Sequence, residues 1–318
     1  MNATVVVPTW NGRDRIGRLL ESLDEKPEAQ VIVVDNGSQD GTAGIVRHRF
    51  PWVELIELDR NDGFSRPINL AAQRAENDAL VLVNDDCVCE PGFVERLVAP
   101  LDPRAGVVMV AGVLFETARP ATIDSAGMEL DSTLLVFDYL NGFPASILNE
   151  PPPPPIGPSA AAAAFDRAAF LEAGGFDENL FAYWEDVDLV LRLRRLGGRC
   201  ALACKARGTH LHSATLGSGS RRKNYLTGFG RGYVLRKWGV LTPRRLPRVL
   251  ARELAICAAQ LAADRTTAGL RGRLDGLRAG RTSARQSYPE GIESLDRGDG
   301  LARTLVRRSR RRVRLRAN

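Results

Sequence analysis

Short unbroken apolar runs alternate along the first third of the chain with segments whose apolar positions recur at helical spacing. Residues 4–7, 31–34, 79–83 and 107–113 are such runs, and 53–58, interrupted by Glu54 and Glu57, is read as a strand with them. Without polar alternation, each unbroken run reads as a strand buried on both faces. Between them, Ile16, Leu19, Leu20 and Leu23 share one helical face, as do Ile68, Ala71, Ala72 and Ala75, and Leu97 with Val98 belongs to a further helix. Repeated β–α units of this kind predict an α/β fold with a mainly parallel central sheet and helices on both faces.

Residues 116–158 lose that rhythm. The five prolines at 151–155 favour polyproline II and read as a stiff surface connector. Residues 159–165 form a small-residue strand able to line a ligand. Residues 168–173 are helical and stop at Gly174-Gly175, and another helix starts near Glu185 and ends before Gly197-Gly198. Residues 213–222, rich in Ser, Gly and Arg, read as a mobile loop. The expected organisation is one α/β domain over 1–240, with halves at 1–115 and 116–240, and a helical, Arg-rich extension over 241–318.

Charge sharpens that division. The 318 residues carry a formal charge of +6, and hydrophobic residues make up 44%, enough for a sizeable core. From residue 243 on, 19 arginines face seven acids, which leaves 25 bases against 31 acids in the rest. An acidic body with a basic arm is not the footprint of a nucleic-acid-binding core, so no nucleic-acid partner is expected. The arm, with eight arginines between Arg303 and Arg316, is expected to meet an anionic membrane surface. No apolar stretch has the length of a bilayer span, and the first residues lack a signal pattern. The expected location is cytoplasmic, peripheral on the inner face of the plasma membrane. Five cysteines without framework spacing read as free thiols.

Polar clusters end three of the predicted strands: Pro8-Thr9-Trp10-Asn11, Asp35-Asn36-Gly37-Ser38 and Asn84-Asp85-Asp86. Open α/β sheets bind ligands outside the carboxyl ends of their strands, so three such ends imply a shared site. No glycine-rich dinucleotide turn follows the first strand, which argues against a dinucleotide dehydrogenase, and no Gly-Lys-Ser/Thr loop is present, which excludes a P-loop NTPase. Asn84-Asp85-Asp86 suits a hard cation that also binds diphosphate oxygens, although the same residues cap turns. Glu185, Asp186 and Asp188 open a helix, where the dipole alone favours acids. Asp186 and Asp188 lie about 200° apart around the axis and so cannot share a job. Asp188 is expected to pair with Arg192 at i+4. His210 and His212 are two of three histidines, and an imidazole there could complete a manganese site.

Taken in order, these pieces resemble family 2 glycosyltransferases, which have the GT-A fold. TVVVPTWN at 4–11 is similar to the family's opening strand and nucleoside-binding turn, and VIVVDNGSQDGT at 31–42 to its second strand and loop. Asn61-Asp62-Gly63-Phe64 followed by Asn69 looks like its N-x-G-F…N segment, and LVNDD at 82–86 stands where it has a D-x-D-type metal motif. GGFDENLFAYWEDVDL at 174–189 resembles its acceptor loop and E-D motif, and HLHSAT at 210–215 its H-x-x-S-x-S/T segment. The resemblance covers roughly residues 3–238, and within the family it leans toward rhamnosyltransferase-like enzymes of cell-wall and surface-polysaccharide assembly. Three departures stand out. Arg66-Pro67 replaces small glycines, Gly228-Phe229 stands near the place of an Arg-Asn pair, and Asn84 replaces an acid, leaving Asp86 as the main carboxylate ligand.

The resemblance implies inverting transfer of a sugar from a nucleotide diphosphate donor, a dTDP- or UDP-sugar and rhamnose among the candidates, to a saccharide or lipid-linked acceptor, with a divalent cation, Mn or Mg. It puts the donor on Pro8, Thr9, Trp10, Asn11, Asp35, Asn36, Asn61, Gly63, Phe64, Arg66, Asn69, Asn84 and Asp85. It puts the metal on Asp86 and His210, and the acceptor on Phe181, Tyr183 and Trp184. Asp186 takes the role of general base, with Glu185 beside it. Arg221 and Arg222, at the end of the expected loop, would close over the diphosphate. Two alternatives stay open: a sugar nucleotidyltransferase, disfavoured by the turn after the first strand, and a non-catalytic nucleotide-sugar-binding relative.

Overall fold

The computed structural model describes residues 2–23, 29–210 and 219–288. Strands β1 (Ala3–Thr9), β2 (Gln30–Asp35) and β4 (Ala79–Val83) form on unbroken apolar runs and β3 (Glu54–Glu57) on the run with two glutamates, and the four lie parallel in the order β3-β2-β1-β4. The sheet continues through β10 (Ala162–Asp166), β6 (Val107–Glu116), β11 (Arg199–His210) and β5 (Cys87–Cys89). β6 and β11 run with the first four strands, whereas β10 is antiparallel to both neighbours and β5 is antiparallel to β11. The sheet is therefore mainly parallel, as expected, with reversals at β10 and β5.

Alternate residues of the strands feed two cores. Val6, Ile32, Val34, Leu80 and Leu82 face a layer with α3 (Ser65–Arg74), α5 (Arg167–Glu172), α6 (Glu185–Arg195) and α7 (Arg221–Lys237). Val5, Val7, Val31, Val33 and Val81 face α1 (Ile16–Leu23), α2 (Thr42–Arg49) and α4 (Phe93–Val98). Both faces of the central strands are dry, which is why those strands show no polar alternation, while the edge strand β3 keeps Glu54 and Glu57 exposed.

The segment without rhythm folds back on the sheet. β7 (Arg119–Ser125) pairs with β6, and β8 (Met128–Leu130) pairs with β9 (Val136–Asp138). The proline run after it is not wholly a surface connector. Pro155 is buried, the Tyr139 hydroxyl donates to Pro153 O at 2.6 Å, and Arg194 donates to Ile156 O at 2.7 Å.

Two further helices, α8 (Leu246–Asp264) and α9 (Ala268–Ala279), complete the described chain. Helices α7 and α9 touch backbone to backbone. A Cβ at Gly232 would lie 2.1 Å from Arg273 O, and one at Gly276 would lie 1.9 Å from Phe229 O. Only glycine allows this approach. Glu253 of α8 joins the three helices, accepting from Arg231 Nε at 2.7 Å and from Arg273 Nε at 2.6 Å. Helix α7 also corrects the expected loop at 213–222. Ser220 caps it, its hydroxyl accepting from Lys223 N at 3.2 Å, so Arg221 and Arg222 are helical. Residues 213–218 of that loop, His212 and the arginine-rich tail from Arg303 to Arg316 lie outside the described residues. No helix among the described residues is long and apolar enough to cross a membrane.

Candidate active site at the strand ends

Because β1, β2, β4, β6 and β11 share one direction, their carboxyl ends meet on one rim. Register sets Thr9 beside Asp35, and Asn36 N donates to Thr9 O at 2.8 Å. The Thr9 hydroxyl donates to Asp85 Oδ2 at 2.7 Å, which ties the turn after β1 to the end of β4. Pro8 and Trp10 are half-buried and Asn11 is exposed. Asn11 holds a left-handed φ of 48°, donating its N–H to Ser38 Oγ at 2.8 Å and accepting from Gln39 N at 3.0 Å. Ser38 in turn donates to Asp35, whose carboxyl burial raises above its ordinary range against that hydrogen bond.

The N-x-G-F…N segment works as a clamp. Asn36 donates to Gly63 O at 2.6 Å and to Asn61 Oδ1 at 3.1 Å, and accepts from Asp62 N at 2.9 Å. Gly63 has φ 87°, and a Cβ there would lie 2.2 Å from Phe181 O, so the position requires glycine. Phe64 N donates to that same carbonyl at 2.6 Å. The Asn69 amide accepts from Phe176 N at 2.8 Å and donates to Phe176 O at 2.9 Å. These groups bind the loop at 176–181 to the first half of the sheet. Arg66 is exposed and pairs with Asp62 at 3.2 Å.

The acidic end of β4 divides its work. Asp85 is buried, and burial raises its carboxyl although Arg15, at 3.1 Å, and Thr9 pull the other way. Asn84 N donates to Ala161 O at 3.3 Å, bridging toward β10. Asp86 and His210 come together from distant parts of the chain, with His210 Nε2 3.2 Å from Asp86 Oδ1. Behind the ring, His210 Nδ1 lies 3.0 Å from Asp124 Oδ2. Burial opposes charge on both partners. The carboxylates of Asp124 and Asp86 nevertheless raise His210 to about 9, and His210 with Arg15 holds Asp86 below the usual range. A small cavity beside them is lined by Arg15, Arg18, Asp85, Asp86, Thr117 and Thr209.

These side chains fit a divalent cation. Asp86 Oδ1 is buried with no well-aligned hydrogen-bond partner among the described residues. Asp124 can hold the proton on Nδ1, so that a cation displacing the Nε2 proton would find that lone pair on the Asp86 side, the usual support for a metal-binding histidine. Cys87 Sγ lies within the same 4.8 Å cluster, but burial pushes its thiol well up, which leaves it neutral and a poor ligand.

Across the rim, Tyr183 and Trp184 both adopt left-handed φ, 70° and 78°, immediately before Glu185 and Asp186. Two such residues in succession are strained, and strain of this kind collects at functional sites. Burial raises Asp186 to about 6, opposed by the N–H of Val187, which donates to Asp186 Oδ1 at 2.8 Å. Burial and the Asp186 charge raise Glu185 further, which favours its protonated form. Asp188 has a different job, as its helical position requires. Fully buried, it accepts from Arg192 Nε at 2.8 Å, Lys237 Nζ at 2.9 Å and Trp238 Nε1 at 2.9 Å. Of the aromatics expected on the acceptor side, Phe181 and Tyr183 are half-buried, whereas Trp184 is buried under Arg231 at 5.2 Å. The Arg222 guanidinium lies 5.9 Å from the Trp10 ring centre and 5.5 Å from that of Phe181.

Sequence reasoning missed Asp124, Arg15 and Arg18. Asp124 sits in the segment without periodicity, and no local signal marks it. Arg15, just before α1, and Arg18, in its first turn, are three apart and follow the first polar strand end, and that adjacency could have drawn attention to them.

The chain is similar to known proteins in sequence and in fold. The model of the family "Glycosyl transferase family 2" matches residues 4–169. An N-acetylglucosaminyl-diphospho-decaprenol L-rhamnosyltransferase of Mycobacterium tuberculosis is 32% identical over 220 residues, covering 61% of this chain and 70% of that protein. Among solved structures, GalNAc-T7 with UDP, GalNAc and Mn2+ superposes with a TM-score of 0.59 at 17% identity, over 75% of this chain and 48% of its own. The mannosyltransferase PcManGT from Pyrobaculum calidifontis, in complex with GDP-Man and Mn2+, does so with a TM-score of 0.53 at 18% identity, over 89% of this chain and 76% of its own.

Proposed function

The chain belongs to glycosyl transferase family 2, and on that premise we propose that it is a metal-dependent, inverting enzyme carrying a sugar from a nucleotide diphosphate donor to a saccharide or lipid-linked acceptor. The observation that carries this reading is the convergence of Asp86 and His210, backed by Asp124, on the same rim as Thr9, Asp35 and Asp85. Asp86 and His210 would hold the cation, which when bound neutralises charge growing on the leaving diphosphate. Thr9 and Asp35 hold the nucleoside, and Asp85 supports the ribose. Arg222, whose guanidinium lies near the rings of both Trp10 and Phe181, stands ready for phosphate oxygens.

Asp186 takes the proton of the acceptor hydroxyl as that oxygen attacks the anomeric carbon. A carboxyl raised to about 6 is ionised at neutral pH yet more basic than an exposed one, which suits a general base. Glu185, favoured in its neutral form, keeps a second negative charge out of the same place. The likeness to the mycobacterial rhamnosyltransferase supports rhamnose as the sugar and a polyprenyl-diphosphate-linked saccharide as the acceptor in cell-wall synthesis.

The test is donor hydrolysis and transfer across UDP-, dTDP- and GDP-sugars, with manganese and with a chelator. Turnover of one donor that stops on chelation, and is absent from Asp86→Ala, is the expected result. Turnover that ignores the chelator would remove the metal from the mechanism. Release of pyrophosphate from a nucleoside triphosphate would replace transfer altogether.

A further inference from the structure

Helix α8 is inverted relative to a helix on a water-facing surface. Its polar side chains point inward: Arg252 pairs with Asp131, Glu253 joins Arg231 and Arg273, and Gln260 donates to Asn224 Oδ1 at 3.2 Å. Its outward side is apolar. Leu250 is 51% exposed, Leu254 68% and Leu261 53%, and the exposed positions among them from 251 to 263 are all alanine. Helix α9 adds Leu270 and Leu274, 45% and 47% exposed. Isolated exposed leucines are ordinary, but a continuous apolar helix face marks a docking surface.

We propose that this face is a membrane-docking surface, lying in the headgroup region of an anionic bilayer. Charge around the leucines selects that occupant. Exposed Arg265 follows the C-terminal end of α8, and exposed Arg271 and Arg278, which share Asp275 between them, flank Leu274 on α9; Arg248, at the other end of α8, is turned inward to Ser132 Oγ at 2.9 Å. An apolar strip framed by arginines matches an interfacial helix, whose leucines enter the acyl boundary while its cations meet lipid phosphates. Residues 243–288 hold ten arginines against three acids, so a second copy of the chain would set like charge against like. The inner network holds α8 rigidly against α7, α9 and the β8–β9 turn, so the apolar side stays outward without unwinding the helix. The inference does not use the donor site and stands apart from the proposed reaction.

The test uses the full chain and a Leu250→Glu, Leu254→Glu, Leu261→Glu variant. Each is sedimented with vesicles of phosphatidylglycerol and phosphatidylcholine, and with phosphatidylcholine alone. Because all three positions are exposed, the variant should keep the melting temperature and the donor hydrolysis of the parent, and these confirm that it is folded. The parent should bind anionic vesicles and keep part of that binding at high salt, and the variant should bind them at least about tenfold more weakly, since three apolar anchors are lost and three negative charges added. Equal binding by the two proteins, or no binding by the parent, would overturn the proposal. So would light scattering that shows a parent dimer split by the substitutions while vesicle binding is unchanged, which would assign the face to a second copy.

Discussion

Asp124 shows how one side chain can govern a site that it does not enter. It holds His210 Nδ1 at 3.0 Å, so the ring presents Nε2 to Asp86. Asp124→Asn keeps the shape and removes the charge. It should weaken manganese binding by roughly 10–100-fold, with activity recovered at high manganese and little change in melting temperature. A calorimetric metal titration measures this directly, and unchanged affinity would leave Asp124 with only a structural part. At Asp186 the raised carboxyl gives a pH dependence of known sign. The base acts only when ionised, so kcat/KM should fall as pH drops through about 6. Asp186→Asn should lower transfer by on the order of 10²–10⁴ and flatten that acidic limb while donor binding survives. A variant that keeps the wild-type profile would move the base elsewhere.

Elements matter here through the loops they pin. The Asn69 amide of α3 satisfies the backbone of Phe176, and Gly63 lets Phe64 N reach Phe181 O, so the loop at 176–181 is fastened at both ends. These residues resemble a donor-binding motif in sequence, yet in the fold their amides are spent on the loop that leads to Asp186. Asn69→Ala should destabilise the protein by about 1–3 kcal/mol, because backbone groups of the loop lose their partner. It should also raise KM for the acceptor more than for the donor. Thermal melting and steady-state kinetics with each substrate varied would show it, and a rise confined to the donor would return Asn69 to the donor site. Helix α7 is held by a comparable device: its glycines meet the α9 backbone, and Glu253 bridges the buried Arg231 and Arg273. In sequence Gly228-Phe229 is a departure near the place of an Arg-Asn pair, and in the fold Gly228 is where α7 meets Gly269 O of α9.

At the scale of the whole molecule, charge separates an acidic body from an arginine-rich end, and the eight arginines between Arg303 and Arg316 concentrate it. A chain ending at residue 300 should lose affinity for anionic vesicles at low salt, since each basic residue near such a surface contributes on the order of 1 kcal/mol. Salt should abolish the difference from the full chain, because screening shortens the reach of exposed charges. Co-sedimentation across a salt series reads both, and identical curves would show that the arginines do not act at the membrane.

By itself, the sequence determined the layers, the parallel strands of the first half and which polar turns gather at their ends. Unbroken Val, Leu and Ile runs can only be strands dry on both faces, and the acids at their ends can only crowd one rim of a parallel sheet. It also determined that Asp186 and Asp188 part company, since helical spacing alone separates them. Strand direction at β10 was decided by tertiary structure, because a run of alanines is equally at home either way and only the returning chain sets its sense. The pairing of His210 with Asp124 was decided there too. Nothing local links β7 to the end of β11, and the two meet only because both lie against β6. The outward turn of the apolar side of α8 belongs to the same class: its leucines look like core until Glu253 and Arg252 find their partners within the protein and leave them facing out.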